Sequence, residues 1–154
     1  MPVPTRTALL HTWHKTLNLK RQSPQSWHLA RLRDEMAEYA EAKGLFAKLS
    51  ERSDVLFAIS RAEYDGYPVG KLPRVLSARY GPAYGYMLAK YTSRCAFYRA
   101  LARLCGHPRP GDVREVVNPG KDDKLGDVAR RHGIDGERFR RVGGWLRRVW
   151  PLFP

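Results

Sequence analysis

The sequence of 154 residues predicts an all-α protein, an antiparallel helical bundle that ends in a C-terminal helical hairpin. Apolar residues recur at intervals of three and four through most of the chain, which is the period of a helix that buries one face. The alternation of apolar and polar residues that marks a half-buried strand is almost absent. A hydrophobic fraction of 43% over this length is sufficient for a core and argues against disorder.

Residues 1–25 are predicted to form a basic N-terminal arm, and residues 26–154 a single all-α domain. The arm contains two early prolines and the segment Ser-Pro-Gln-Ser, which leave room for one short helix. Six basic residues precede Asp34, the first acidic residue, and a transit peptide has a similar charge pattern. We favour a basic arm of the mature protein over mitochondrial targeting.

Two helices are predicted to pair over residues 27–62, which we call the acidic hairpin. The first helix extends from Trp27 to Ala42, with Ser26 expected as its N-cap and Gly44 as its C-cap glycine. The second helix is predicted over Ala47–Ala62 and ends before a turn that contains Gly and Pro.

The second half of the chain is predicted to be helical as well. A short helical piece is expected at Arg74–Arg79, and a long helix over residues 82–105 begins with a proline, which the first helical position favours. Residues 106–120 are predicted to be a loop with at most one turn or short strand. A basic C-terminal helical pair follows over residues 122–150 and is divided at Gly133.

The two cysteines bear on the compartment. Cys95 and Cys105 are ten residues apart on one predicted helix, about 15 Å along its axis, so they cannot form a disulfide with each other there. Two unpaired cysteines indicate a reducing compartment, and we expect the cytoplasm. No run approaches the ~18 apolar residues of a membrane span, so no membrane insertion is expected.

The net charge of +13 favours association with polyanions such as nucleic acid, nucleotides or acidic membranes. Eight of the fifteen acidic residues nevertheless fall between residues 34 and 65, beside only four basic residues. A local function is therefore needed to explain why a basic chain concentrates its negative charge in one segment.

The spacing of these acids suggests a metal site. Glu35 and Glu38 are three residues apart, and so are Glu51 and Asp54, so each pair shares one helix face. If the hairpin folds back just after Gly44, Glu35 lies opposite Asp54 and Glu38 lies opposite Glu51. Four carboxylates this close repel one another unless a cation binds, and oxygen ligands favour Mg²⁺, or alternatively Mn²⁺, over zinc. The competing interpretation is that the acids line the solvated faces of two amphipathic helices.

The same segments resemble a known motif. DEMAE, Asp34–Glu38, followed by ERSDVL, Glu51–Leu56, is similar to the paired motif of the all-α nucleoside triphosphate pyrophosphatases. This superfamily includes the MazG-like, the dimeric dUTPase-like and the phosphoribosyl-ATP pyrophosphatase relatives. Its pattern is E-E-x-x-E followed by E-x-x-D, and the present chain departs from it at the first position, which is Asp34.

The resemblance implies a site, a reaction and an assembly. Mg²⁺ would be held by Glu35, Glu38, Glu51 and Asp54, and Glu35 or Glu38 would be the general base. A nucleotide substrate would be hydrolysed between its α- and β-phosphates to a nucleoside monophosphate and pyrophosphate. The protein would assemble as a homo-oligomer, a dimer or a tetramer.

Relatives in this superfamily bind the phosphates and base with Lys, Asn and Arg residues of later helices. Lys90 and Arg94 are four residues apart on one face of the long helix and are candidates for this contact. Asn118, Lys121 and Lys124, in the segment NPGKDDK, are the other candidates. For each of them, a solvated surface position is the competing interpretation in so basic a chain.

The C-terminal pair suggests a different class, a nucleic-acid-binding helix-turn-helix. Ala129, Gly133 and Phe139 occupy the positions that this motif needs. Candidate phosphate contacts follow on the second helix: Arg138, Arg140 and Arg141. That helix is short of Asn, Gln, Ser and Thr for reading base edges, so we favour a structural helical pair that lends basic residues to an active site or interface. RNA binding stays open, and Trp145, like the other three tryptophans, is expected to be a core or interface anchor.

Overall fold

The computed structural model describes residues 6–69 and 81–150, and all regular structure in these ranges is helical. The prediction of an all-α protein is therefore confirmed. The predicted helical piece at Arg74–Arg79 lies outside the described residues. The helices are α1 Arg6–Leu17, α2 Gln25–Glu41, α3 Leu45–Asp65, α4 Gly81–Leu104, α5 Asp122–Arg131 and α6 Gly136–Val149, with a 3-10 turn at Pro110–Asp112.

The chain divides into two compact units, Met1–Leu88 and Ala89–Pro154, and the boundary falls inside α4. In the first unit α3 packs against both α2 and α1. In the second unit α5 packs against α6.

The ends of α2 differ from the prediction. The helix begins at Gln25 after Pro24, whose carbonyl accepts a hydrogen bond from the Trp27 N–H, so Ser26 lies in the first turn rather than at the N-cap. At the other end Ala42 is the C-cap, and Gly44 instead immediately precedes α3. Gly44 has a φ of +88°, which a glycine adopts readily, and this conformation lets the chain reverse within three residues.

The C-terminal end of α3 fixes the link between α1 and α2. The Arg61 guanidinium donates to the carbonyls of Leu19 and Lys20, each at 3.1 Å. The Asp65 carboxylate accepts from the Gln22 N–H at 3.1 Å and pairs with Arg61 at 3.0 Å. Arg61 and Asp65 are both buried, so removing one partner would leave an uncompensated charge.

The second unit has a continuous apolar core. Its fully buried residues come from α4, α5, α6 and the loop before α5: Phe97, Tyr98, Leu101, Ala102, Val113, Leu125, Val128, Ala129 and Phe139. The close approach of α6 depends on Gly143, because a Cβ there would lie 3.0 Å from side-chain carbons of Leu101 and Leu125. Residues 106–120 form a loop whose only helical piece is the 3-10 turn, as predicted.

Candidate functional site

Three carboxylates meet where α2 and α3 face each other. Glu35 and Glu38 project from α2 and Glu51 from α3, and one oxygen from each lies within 4.8 Å of the other two. We call these three residues the carboxylate cluster. The reversal of the chain at Gly44 brings the second turn of α3 back beside the last two turns of α2, which is how residues distant in sequence come together.

Asp54 lies outside the carboxylate cluster, although the sequence places it with the other three acids. It is one helical turn beyond Glu51 on α3 and is half-buried. Its negative charge still acts on Glu35, and among the nearby acids it contributes most to raising the pKa of that residue. Asp54 is therefore close enough to belong to the electrostatic environment of the cluster.

The three members of the cluster differ in exposure to solvent. Glu35 is buried, with 3% of its surface exposed, whereas Glu51 is half-buried and Glu38 is exposed. Burial raises the pKa of Glu35 to about 7, and the neighbouring acids add to this effect. Arg31 acts in the opposite direction, because its guanidinium forms an ion pair with the Glu35 carboxylate one turn away.

Cations on α3 hold the two helices of the hairpin together beside the cluster. The Lys48 ammonium donates to the Tyr39 carbonyl at 2.7 Å, and it lies 4.5 Å from the centre of the Tyr39 ring. The Arg52 guanidinium donates to the Tyr39 hydroxyl at 2.8 Å. Tyr39 is thus clamped by two side chains of α3, and this clamp fixes the register that brings Glu51 to α2.

The chemistry of the cluster is that of a site for a hard cation. It offers three carboxylates on two packed helices, one of them buried, and it contains neither histidine nor cysteine. Oxygen ligands of this kind suit Mg²⁺ or Mn²⁺ better than zinc. Within residues 6–69 and 81–150, no other group of three or more such side chains has this geometry.

The candidate substrate-binding residues belong to the second unit, whereas the carboxylates belong to the first. Lys90 and Arg94 are both buried, and the Arg94 guanidinium donates to the Val116 carbonyl at 3.3 Å. Both cations lie near the ring of Tyr91, with the Arg94 guanidinium 5.2 Å from its centre. Arg94 therefore has a structural contact of its own, whatever else it binds.

The remaining candidates cluster at the start of α5. The Asn118 side-chain oxygen accepts from the Gly120 N–H at 2.9 Å and closes the turn that leads into the helix. Lys121 is the exposed N-cap residue, and Lys124 is half-buried in the first turn. Their spacing brings Lys121 and Lys124 close to the same helix end.

The C-terminal pair has the local geometry of a helical hairpin. Ala129 and Phe139 are buried between α5 and α6, and Gly133 occupies the connecting turn with a φ of +64°. The candidate phosphate contacts on α6 are all exposed: Arg138, Arg140 and Arg141.

Trp145 is predicted from the sequence to be a core or interface anchor, and the structure places it at the surface. It is 58% exposed, so it is not a core residue of the chain. The buried face of α6 consists of Phe139, Gly143 and Leu146, and Trp145 lies about 100° away from Leu146 around the helix. A helical projection of this segment would have shown that Trp145 lies on the side of α6 that carries Arg138, Arg141 and Arg148.

Comparison of the chain with protein-family models, curated proteins and solved structures finds no match in any of the three. In the ranges that the structure describes, no helix is both long enough and apolar enough to cross a membrane.

Proposed function

We propose that the acidic hairpin binds Mg²⁺, or Mn²⁺ in its place, and hydrolyses a nucleoside triphosphate between its α- and β-phosphates. The observation that supports this proposal is the approach of the Glu35, Glu38 and Glu51 oxygens to within 4.8 Å of one another. The reaction itself comes from the resemblance of DEMAE and ERSDVL to the all-α nucleoside triphosphate pyrophosphatases.

Electrostatics favours a cation at this position. Three neighbouring carboxylates repel one another, and burial of Glu35 strengthens this repulsion because less water screens it. A divalent cation replaces the repulsion by attraction. Asp54, whose charge already acts on Glu35, would supply a fourth oxygen ligand from the adjacent turn of α3.

The residues of the site then have separate tasks. Bound Mg²⁺ would polarise the phosphoryl oxygens and lower the pKa of a bound water. Glu51 and Asp54 hold the α3 side of the site. Glu38 is exposed and can reach an incoming water, so it is our first candidate for the general base, with Glu35 as the second.

The activity is tested with a panel of nucleoside triphosphates, assayed for pyrophosphate release with and without Mg²⁺. Glu38→Gln should lower kcat/KM by roughly 10²- to 10⁴-fold, because that is the contribution of a positioned general base. Glu41→Gln is the matched control, since Glu41 is also exposed on α2 but lies outside the cluster. It should have unchanged activity.

Binding of the cation is measured separately, by the shift that Mg²⁺ causes in the unfolding temperature. Mg²⁺ should stabilise the wild-type protein and Glu41→Gln but not Glu38→Gln. Release of orthophosphate alone would contradict the proposed bond of cleavage. Equal activity of the Glu38 and Glu41 variants would remove the cluster from the mechanism.

We also propose that the protein is a homo-oligomer, a dimer or a tetramer. The first turn of α3 exposes two large apolar side chains, Leu45 at 86% and Phe46 at 84%. Three more are exposed at different positions around α2: Trp27, Leu29 and Met36. The two adjacent apolar side chains at the start of α3 are the observation that supports association with another chain.

A further inference from the structure

A groove runs along α6 in the second unit, beside the start of α5. Its volume is about 580 Å³. Seven residues of the α5–α6 pair line it: Asp122, Arg140, Arg141, Gly144, Trp145, Arg147 and Arg148. Four of these residues are arginines and one is an acid, so the groove is strongly basic.

One arginine builds the wall of the groove. The Arg147 guanidinium donates to the Asp122 carboxylate at 2.7 Å and to the Pro119 carbonyl at 3.1 Å. These bonds tie α6 to the start of α5 and also neutralise the single acid of the lining. The wall therefore does not depend on a ligand to hold its shape.

The other arginines present their charge to solvent. Arg140 uses its Nε to donate to the Gly136 carbonyl at 3.1 Å, which leaves the terminal nitrogens of its guanidinium available. Arg141 and Arg148 are exposed, and neither is within ion-pair distance of a carboxylate among the residues that the structure describes. The groove thus has cation charge that the described part of the chain does not neutralise.

An aromatic surface lies among these cations. The indole of Trp145 is 58% exposed, and the adjacent Gly144 adds no side chain that would cover it. Guanidinium groups that alternate with an open aromatic ring are the arrangement that binds single-stranded nucleic acid, since the cations contact phosphates and the ring stacks on a base. The bases of a duplex are already stacked, and α6 has no Asn, Gln, Ser or Thr to read their edges.

We propose that this groove binds single-stranded nucleic acid, with a base stacked on Trp145 and backbone phosphates on Arg141 and Arg148. Arg140 lies at the same wall and contacts a neighbouring phosphate. The net charge of +13 attracts such a polyanion from a distance, and the groove gives it a defined place to bind.

The test measures fluorescence anisotropy of labelled twelve-nucleotide strands, oligo(dT) and oligo(rU), with the full-length protein. Trp145→Ala should weaken binding about tenfold, within the range measured when one stacked aromatic side chain is removed, and Trp145→Phe should retain most of it. Circular dichroism checks that each variant is folded. The exposure of Trp145 makes loss of the fold an unexpected result.

Charge is tested with two double variants that remove the same two positive charges. Arg141→Ala/Arg148→Ala should weaken binding and reduce the slope of log K against log salt by about 1.4, because each phosphate that is no longer neutralised accounts for about 0.7. Arg103→Ala/Arg109→Ala removes two exposed arginines of the same unit away from the groove, and it should leave the slope nearly unchanged.

Three outcomes would overturn the proposal. Equal weakening by the two double variants would mean that the overall charge, and not the groove, attracts the strand. A Trp145→Ala variant with unchanged affinity would remove the stacking interaction. Tighter binding of a duplex of the same length would favour the helix-turn-helix interpretation. Glu38→Gln should bind the strands as the wild type does, so failure of the proposed enzyme activity would leave this result unaffected.

Discussion

The surroundings of the Glu35 carboxylate favour its protonated form. It is nearly excluded from water, and Asp54, Glu38 and Glu51 add negative charge to its environment. The ion pair with Arg31 opposes these effects without cancelling them, and the pKa of Glu35 is raised to about 7. Glu35, one of the proposed cation ligands, is therefore also a residue that destabilises the cation-free protein once its carboxylate is ionised.

The raised pKa predicts how stability depends on pH. Because the folded pKa exceeds the ordinary value of 4.5, the folded state binds more protons than the unfolded state between about pH 4.5 and 7. The metal-free protein should therefore lose stability as the pH rises through this window, by on the order of 1–3 kcal/mol after solvent screening is considered. Urea unfolding in the presence of a chelator measures this loss.

Glu35→Gln is the variant that isolates the effect, because glutamine does not titrate. Its stability should change less than that of the wild type between pH 4.5 and 7, whereas Glu41→Gln should follow the wild type. If all three proteins show the same pH profile, Glu35 does not titrate in this range. Saturating Mg²⁺ should flatten the wild-type profile, because a bound cation keeps the carboxylate ionised.

At the scale of elements, helix positions are predictable and the details of helix ends are not. The acidic hairpin, the long helix and the C-terminal pair follow from apolar periodicity and from Gly and Pro at their ends. Residue preference favours Ser26 as the cap of α2, but the chain enters the helix earlier, at Pro24. Gly44 is correctly placed at the reversal, although its positive φ serves the entry to α3 rather than the exit from α2.

The candidate site is predictable to the extent that it depends on helical spacing. Three-residue spacing alone places Glu35 beside Glu38, and the position of the reversal brings Glu51 to them. The burial of Glu35 is not predictable, because it depends on how α2 and α3 pack in three dimensions. The expectation for Trp145 is wrong about the core for a related reason, since a large apolar residue indicates burial on average and only its angle around α6 reveals its exposure.

The packing of α6 on its neighbours predicts different effects on stability for two adjacent substitutions. Both Gly143→Ala and Gly144→Ala gain helix propensity, about 1 kcal/mol each. At Gly143 the new methyl group meets two buried leucine side chains at 3.0 Å, and overpacking of this kind costs about 1–3 kcal/mol. At Gly144 the nearest group is the Arg147 guanidinium at 3.6 Å, which is an ordinary contact.

Gly144→Ala should therefore be as stable as the wild type or more stable, and Gly143→Ala should be the less stable of the two. Urea unfolding followed by circular dichroism compares them directly. If the two variants have equal stability, the side chains around Gly143 move aside for the new methyl group at little cost in free energy.

At the scale of the whole molecule, the acidic cluster and the basic groove belong to different units. The first unit contains the carboxylate cluster and the exposed apolar side chains of the hairpin, and the second contains the basic groove on α6. The sequence predicts both charged segments. It does not show which of the apolar side chains near the reversal stay exposed after folding. In the sequence Leu45 and Phe46 are two apolar residues near a turn. Their exposure in the structure makes them candidates for a contact with another chain.

Association through the hairpin is the prediction that belongs to this scale. Leu45→Gln/Phe46→Gln should shift the protein from an oligomer to the mass of one chain, because two large apolar side chains would no longer be removed from water on association. Light scattering coupled to size-exclusion chromatography measures the mass. Leu104→Gln/Val149→Gln is the matched control, since both residues are at least half exposed in the second unit, at 50% and 58%. A monomeric wild-type protein would contradict the proposed assembly. An oligomer that survives the first double variant and dissociates in the second would place the contact on the second unit. The apolar side chains of the hairpin would then stay exposed to solvent and would not contact a partner chain.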